Sequence, residues 1–293
     1  MHRPSLFRSF TPPLLPGLAA LLCAVLLSGC FGPKYLYENA DWLTMRELDK
    51  HFCPAGERRD AAKSEVQKLL RWHRKHELPR WVKALNRFAA AIEDDGLKEP
   101  DLTRFLDEVT RAWGAWVKRS SDPFEGWLAD VRPEELACLQ KQFAEYEKES
   151  SEEFAANDKH WREKALKRGI DWTERFLGDL SDAQKATVAR MINLRRKPAQ
   201  RVAKARLAAN QRFLEAMRNG KAGPAAFRKL TRDPFALYTP EERALVEARR
   251  AHFRKVLYAT AALMTTDQRR ALRTRMQGWA ADLRSVARSS PSR

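Results

Sequence analysis

Apolar side chains recur every three or four positions along most of the chain after residue 39, which is the spacing of one face of an α-helix. No segment alternates apolar and polar residues over a useful length, so we predict no β-sheet. The sequence therefore predicts an all-α fold, either a multi-helix bundle or a bent helical array, over residues 39–284, with a possible subdivision near residues 158–180. We expect a disordered tail over residues 285–293. The clearest stripe consists of Leu102, Phe105, Leu106, Val109, Trp113, Trp116 and Val117.

Three of the predicted helices begin with the same arrangement of polar residues. A hydroxyl residue follows an apolar residue, and Glu or Gln comes three positions later. This is the capping box, in which the hydroxyl accepts the amide of the third helical residue and the side chain of that residue accepts the N-cap amide. We expect a looser copy, without the hydroxyl, at residues 131–135. The three pairs are Ser181 with Gln184, Thr239 with Glu242, and Thr265 with Gln268.

These boxes resemble the LTxxQ motif of the periplasmic Spy/CpxP-type chaperones and stress sensors. Together with residues 35–42 (YLYENADW) and 72–79 (WHRKHELP), they also make the chain similar to a family of uncharacterised proteobacterial lipoproteins. The second resemblance extends over nearly the whole chain after residue 29 and implies a helical fold without a settled activity. The first implies a chaperone-like binding role.

The beginning of the chain has the layout of a secretory signal. Arg3 and Arg8 precede an apolar run over residues 14–27, and small residues follow it. Residues 27–30 (LSGC) resemble the lipobox at which bacterial lipoprotein precursors are cleaved and lipidated. The alternatives are a soluble secretory signal and an uncleaved membrane helix, although the apolar run is short for a membrane span.

We therefore predict a signal peptide over residues 1–29, lipid attachment at Cys30 and a lipidated tether over residues 30–38. The attached chains are a diacylglycerol and a further acyl group such as palmitate, which together anchor a protein stably. Phe31 stands where an Asp would retain a lipoprotein in the inner membrane. Resemblance to lipoprotein sorting in Gram-negative bacteria thus implies an outer-membrane anchor with the body on the periplasmic face.

The positive charge is concentrated in the second half of the chain. The net charge is +17, and loss of the two signal arginines leaves +15. Residues 30–158 hold 21 basic and 26 acidic residues, whereas residues 159–293 hold 32 and 12. No acid lies between Asp182 and Glu215. The predicted patch for an anionic partner consists of Arg190, Arg195, Arg196, Lys197, Arg201, Lys204 and Arg206.

A basic segment of this kind attracts polyanions. In a periplasm these are lipopolysaccharide phosphates, anionic lipid head groups, peptidoglycan carboxylates and acidic unfolded proteins, and the compartment argues against nucleic acid. The alternative is a solvated helix face whose bases pair partly with the acidic first half.

Two cysteines remain once Cys23 leaves with the signal and Cys30 takes lipid. Cys53 and Cys138 are free to form a disulfide in an oxidising compartment. Cys138 lies off the apolar stripe of its predicted helix, so its thiol is accessible, but the sequence leaves open whether the two pair.

A second candidate site mixes aromatic rings with hydrogen-bonding groups, as small binding clefts do. These groups converge if the first two predicted helices pack as a hairpin. The alternative is that the aromatic residues belong to the core and that His73 is a buried core histidine. The candidate residues are Asn39, Asp41, Trp42, Trp72, His73, Glu77 and Arg80.

His73 and His76 lie one helical turn apart and form a possible metal chelate. No clear third ligand accompanies them, and Arg74 and Lys75 add positive charge, so a metal-dependent envelope enzyme is the alternative hypothesis. The sequence has no nucleophile elbow, P-loop or dinucleotide fingerprint. We expect a non-enzymatic lipoprotein of the outer membrane that needs no cofactor and binds an anionic component or client, and its oligomeric state stays open.

Overall fold

The computed structural model describes residues 33–92, 96–155, 158–193, 196–220 and 222–289. Across these ranges the regular secondary structure is α-helical, and one isolated bridge joins Ile92 to Leu97. The predicted all-α helical array is confirmed. Its helices are α1 (Pro33–Glu38), α2 (Ala40–Phe52), α3 (Glu57–His76), α4 (Leu78–Ala91), α5 (Glu99–Ala129), α6 (Pro133–Ala155), α7 (Asp158–Leu177), α8 (Asp182–Asn193), α9 (Arg196–Arg218), α10 (Ala222–Arg232), α11 (Pro240–Ala261) and α12 (Thr266–Arg288).

The predicted capping boxes are present. At the start of α11, Thr239 accepts the amide of Glu242, whose carboxylate accepts the Thr239 amide. Thr265 and Gln268 do the same at the start of α12. At α8 the Ser181 amide donates to the Gln184 side chain and the return bond measures 3.3 Å. Each box satisfies amides that a helix start otherwise leaves unpaired.

Two of these boxes face each other across the fold. The side-chain amide of Gln184 donates to Oε1 of Gln268 at 2.8 Å, and the amide of Gln268 donates back at 3.1 Å. Each amide also reaches a backbone carbonyl just before the other helix, Leu263 and Asp179 respectively. Both glutamines are buried. The capping residue of each helix is thus also a tertiary contact between α8 and α12.

At the starts of α11 and α6, an arginine from another helix binds the capping carboxylate. Arg212 of α9 forms a bidentate pair with Glu242 and donates to the Leu237 carbonyl. This hydrogen bond lowers the pKa of Glu242 below its ordinary value. Arg58 of α3 forms a bidentate pair with the buried Glu135, which accepts the Arg132 amide at the start of α6. The looser copy at residues 131–135 therefore forms half of a capping box.

Two apolar clusters lie between the helices. The first is built mainly by α4 and α12, with Leu85, Ile92 and Leu283 among its most deeply buried side chains, and the first half of α5 packs on it. The second joins α2, α6, α9 and α10 around residues such as Phe213 and Phe227. The end of α5, after Pro123, contributes to this second cluster. The long α5 therefore connects the two clusters.

Cys53 and Cys138 form a disulfide with their Cα atoms 6.1 Å apart. Cys53 ends α2 in a left-handed conformation, with φ of 47°. The bond joins the end of α2 to α6 and closes a loop across a sequence separation of 85 residues. The sequence had left open whether Cys53 and Cys138 pair.

The structure corrects two predicted boundaries, and two other predictions at the beginning of the chain lie outside the described residues. Residues 33–38 form helix α1, which buries Tyr37, instead of a tether. Residues 285–288, which we expected in a disordered tail, belong to α12, and Val286 is only 1% exposed. The predicted signal peptide and the Cys30 lipid site lie outside the described residues.

We expect Gln184→Ala and Gln268→Ala each to lower the free energy of unfolding by about 1–3 kcal/mol, because each leaves buried polar groups unpaired. The double variant should cost less than the sum of the two, with a coupling of about 0.5–3 kcal/mol, since the side chains pair with each other. Urea unfolding measures all three values. Gln277→Ala, at an exposed position of α12, is the control. Strict additivity would contradict the pairing.

Removal of the disulfide by Cys138→Ser should lower the free energy of unfolding by up to roughly 4–5 kcal/mol, the chain-entropy value for a loop of this length. Reduction of the wild-type protein should lower its urea midpoint to that of the variant. A midpoint that neither treatment changes would show that the bond does not constrain the unfolded chain.

Candidate functional site

His73 lies in the last turn of α3 and is only 2% exposed. Its Nδ1 is 3.2 Å from the hydroxyl of Tyr37 on α1, which donates to the Leu70 carbonyl at 3.0 Å. Because that bond uses the only hydroxyl proton, we assign the Nδ1 proton to His73, which then donates to Tyr37. The ring also meets the edge of Trp116, with centroids 5.3 Å apart. Tyr37 was not among the predicted site residues.

Burial controls the protonation of this pair. Desolvation lowers the pKa of His73 to about 3, so the imidazole is neutral at physiological pH. Desolvation also raises the pKa of Tyr37, against the opposing effect of the Arg74 guanidinium next to it. Two neutral, hydrogen-bonded side chains are therefore held inside the fold, which is the core role that the sequence left open for His73.

Glu77 occupies the junction between α3 and α4 and is fully buried, at 0% exposed. Its Oε1 accepts a hydrogen bond from Nη1 of Arg80 at 2.6 Å. Nη1 of Arg111, from α5, lies 3.7 Å from Oε2, which has no hydrogen-bond partner among the described residues. The carboxylate is thus balanced by two arginines whose side chains are about half exposed. The arrangement links α5 to the junction of α3 and α4.

The remaining members of the predicted cleft lie elsewhere or at its margin. Trp72 is half-buried beside His73 and the exposed His76. Asn39 donates to the Tyr35 carbonyl, and Asp41 accepts the amide of its neighbour. Trp42 is 58% exposed. The structure therefore brings together His73, Glu77 and Arg80, with Trp72 beside them, and leaves Trp42 on the surface.

The structure gives no support to a metal centre at the two histidines. His73 is buried and bonded to Tyr37, whereas His76 is exposed. Across the described ranges no group of three or more His, Cys, Asp or Glu side chains is placed to hold a metal ion.

The predicted patch for an anionic partner is smaller than expected. Arg206 is buried, and Arg196 is half-buried and donates to the Phe154 carbonyl. Arg190 is exposed and donates to Thr187, and Arg195 lies outside the described residues. Three exposed cations remain on α9 at positions four and three residues apart, so they share one helix face. This α9 basic stripe consists of Lys197, Arg201 and Lys204.

Many other basic side chains in the second half are neutralised. Arg228 pairs with Glu125 and Arg254 pairs with Asp107, so acids of α5 balance bases of α10 and α11. The alternative of internal pairing is therefore correct for these arginines. Among the described residues no acid pairs with the α9 basic stripe. The α9 basic stripe therefore keeps its charge.

The model of a family of unknown function, DUF6279, matches residues 54–243, which is more than half of the chain. The chain belongs to this family. The match agrees with the expected membership of a family without a settled activity, and it covers both the Glu77 junction and the α9 basic stripe of this DUF6279 protein. Comparisons with curated proteins and with solved structures found no match. No helix in the described ranges is long and apolar enough to cross a membrane.

The stability of this protein should fall as the pH is lowered from 7 to 5. The unfolded His73 takes a proton near pH 6.5, whereas the folded side chain has a pKa of about 3, so the unfolded state binds more protons across this interval. The resulting loss is about 2 kcal/mol. Urea unfolding at pH 7, 6 and 5 measures it.

The His73→Gln variant removes this proton uptake, and its stability should depend less steeply on pH by the same amount. His76→Gln, three residues away at an exposed position, is the matched control and should retain the wild-type slope. The interpretation would be wrong if His73→Gln and the wild type lost stability equally.

Proposed function

We propose that this protein is a non-catalytic lipoprotein of the bacterial envelope that binds an anionic partner through the α9 basic stripe. The observation that carries the proposal is the contrast within the second half of the chain. Arg228 of α10 and Arg254 of α11 pair with acids of α5, whereas Lys197, Arg201 and Lys204 are exposed without an acidic partner among the described residues. A helix face that keeps its charge attracts polyanions.

The partner that best fits this stripe is a densely phosphorylated one. Cations at intervals of four and three residues lie about 5–6 Å apart along a helix face. A single carboxylate does not span all three cations, whereas a surface of clustered phosphates meets all three. We therefore assign the stripe to the phosphates of lipopolysaccharide or of anionic phospholipids.

The beginning of the chain supports a location at the bacterial envelope. Residues 27–30 have the lipobox pattern, and acylation of Cys30 would fix the body to a leaflet. The Cys53–Cys138 disulfide supports export, because such bonds persist in oxidising compartments and are rare in the cytosol. Phe31 after the lipidated residue favours the outer membrane and its periplasmic face. A chaperone-like role rests on the resemblance of the capping boxes alone.

Replacement of Lys197, Arg201 and Lys204 by Glu should weaken binding to lipopolysaccharide on the order of 100-fold or more, since each basic residue near an anionic membrane surface contributes about 1 kcal/mol. Raising the salt concentration should weaken wild-type binding and affect the variant less, because exposed charges are screened. Titration with fluorescent lipopolysaccharide measures both effects.

The control replaces Lys63, Arg71 and Lys75, three exposed bases of α3, by Glu. This variant has the same net charge as the first, but it keeps the α9 basic stripe. Equal loss of binding in both variants would mean that net charge, and not the stripe, attracts the ligand. Binding of the wild type that is insensitive to salt would contradict the proposal altogether.

A further inference from the structure

Large apolar side chains that face solvent are rare in the described part of the chain, and two of three lie close to its beginning. Tyr35 is 52% exposed and Trp42 is 58% exposed, while the third, Leu263, lies far along the sequence at 43%. Singly exposed apolar residues are ordinary on a protein surface. Here, however, two exposed aromatic rings lie on one short segment next to the proposed lipid anchor.

Helices α1 and α2 follow nearly one helical path. Asn39 joins them, and its amide donates to the Tyr35 carbonyl at 3.3 Å, while its own carbonyl accepts the Leu43 amide at 3.0 Å. The Asn39 side chain adds a bond of 2.8 Å to the same Tyr35 carbonyl. These are hydrogen bonds between residues four apart, as in a continuous helix. Helical spacing therefore applies across the junction.

On this path four exposed side chains share one face. They are seven, four and four residues apart, which keeps them within a narrow sector of a helix. The guanidinium of Arg46 lies over the Trp42 ring, 5.5 Å from its centroid. We call this set the aromatic–cationic stripe, and it consists of Tyr35, Trp42, Arg46 and Lys50.

The core fixes the direction in which the stripe faces. The opposite side of the same path is buried, with Tyr37 bonded to His73 and with Met45 and Leu48 in the second apolar cluster. The disulfide at Cys53 holds the end of α2 against α6. Rotation of α2 to bury Trp42 would expose these core residues. The stripe therefore points away from the protein body.

The length of chain before α1 limits where the stripe can be. Only three peptide steps separate Cys30 from Pro33, which is about 11 Å at full extension. If Cys30 is acylated, the first residue of α1 cannot lie farther than this from the cysteine. From there α1 and α2 together are about 30 Å long. The exposed face of α1 and α2 would therefore lie close to the leaflet, and the lipid head groups are the part of the leaflet that it contacts.

We propose that the aromatic–cationic stripe lies in the head-group layer of the leaflet that holds Cys30, so that α2 lies along the membrane surface. The proposal rests on the proposed lipid attachment. Tyr and Trp prefer this layer because their rings are apolar and their polar edges remain hydrated. Arg46 and Lys50 lie beside them and meet lipid phosphates. The lipid chains hold the protein, and the stripe sets its orientation.

The test uses the full-length, lipid-modified protein reconstituted into phosphatidylethanolamine–phosphatidylglycerol liposomes whose lipids are brominated near the top of the acyl chain. Bromine quenches nearby tryptophan emission. The wild type should be quenched, and the quenching should be lost in Trp42→Phe, which keeps an aromatic ring at an exposed position and so preserves the fold. Trp279→Phe, at a half-buried position of α12, is the matched control and should retain the quenching.

Flotation of the same liposomes separates the two claims. Protein that floats while wild type and Trp42→Phe are quenched equally would overturn the stripe proposal and leave the anchor standing. Protein that does not float would refute lipid attachment, and with it the inference. A photo-crosslinking residue at position 42 should capture lipid in intact cells, and capture of another protein or of a second copy of this chain would also overturn the proposal.

Discussion

The side chain of Gln184 closes the first turn of α8 and, at the same time, bonds to Gln268, which closes the first turn of α12. Two helix starts that are 84 residues apart in sequence are thereby joined through their caps. A buried amide that lost this partner would keep its desolvation cost without compensation. The position of one helix start is therefore tied to the position of the other.

The same dependence recurs where the partner is an arginine. Arg212 and Arg58 each bind the carboxylate that completes a cap, and bidentate pairs of this kind fix geometry as well as charge. These contacts fix α3 on α6 and α9 on α11. With α3 and α9 positioned in this way, Glu77 is held at the junction of α3 and α4, and the exposed face of α9 presents its cations. Local helix chemistry thus determines which surfaces remain available for a partner.

The sequence predicted what depends on local spacing and failed where the outcome depends on distant partners. Capping at Thr239 and Thr265 follows from residues three positions apart, so it could be read directly. The pairing of Gln184 with Gln268 could not, because two helix starts far apart in sequence must first be brought together. Arg206 shows the same limit: its position in a basic segment suggested the surface, whereas packing of α9 buries it.

Trp42 lies outside the predicted cleft for a geometric reason. Trp42 and Tyr37 lie five residues apart, about 140° around a helix at 3.6 residues per turn, so they cannot face the same neighbour. Because Tyr37 is buried against His73, Trp42 faces solvent. A helical-wheel comparison would have shown that Tyr37 and Trp42 cannot both face His73, but the hairpin hypothesis considered the segment as a whole.

We propose that acyl chains at Cys30 fix this helical body to a membrane. Mass spectrometry of the amino-terminal peptide from the native membrane fraction tests it most directly. If Cys30 is acylated, the peptide begins at Cys30 and carries the mass of a thioether-linked diacylglycerol, with a further acyl group on its amine. An amino terminus upstream of residue 30, or an unmodified Cys30 thiol in the native protein, would contradict it.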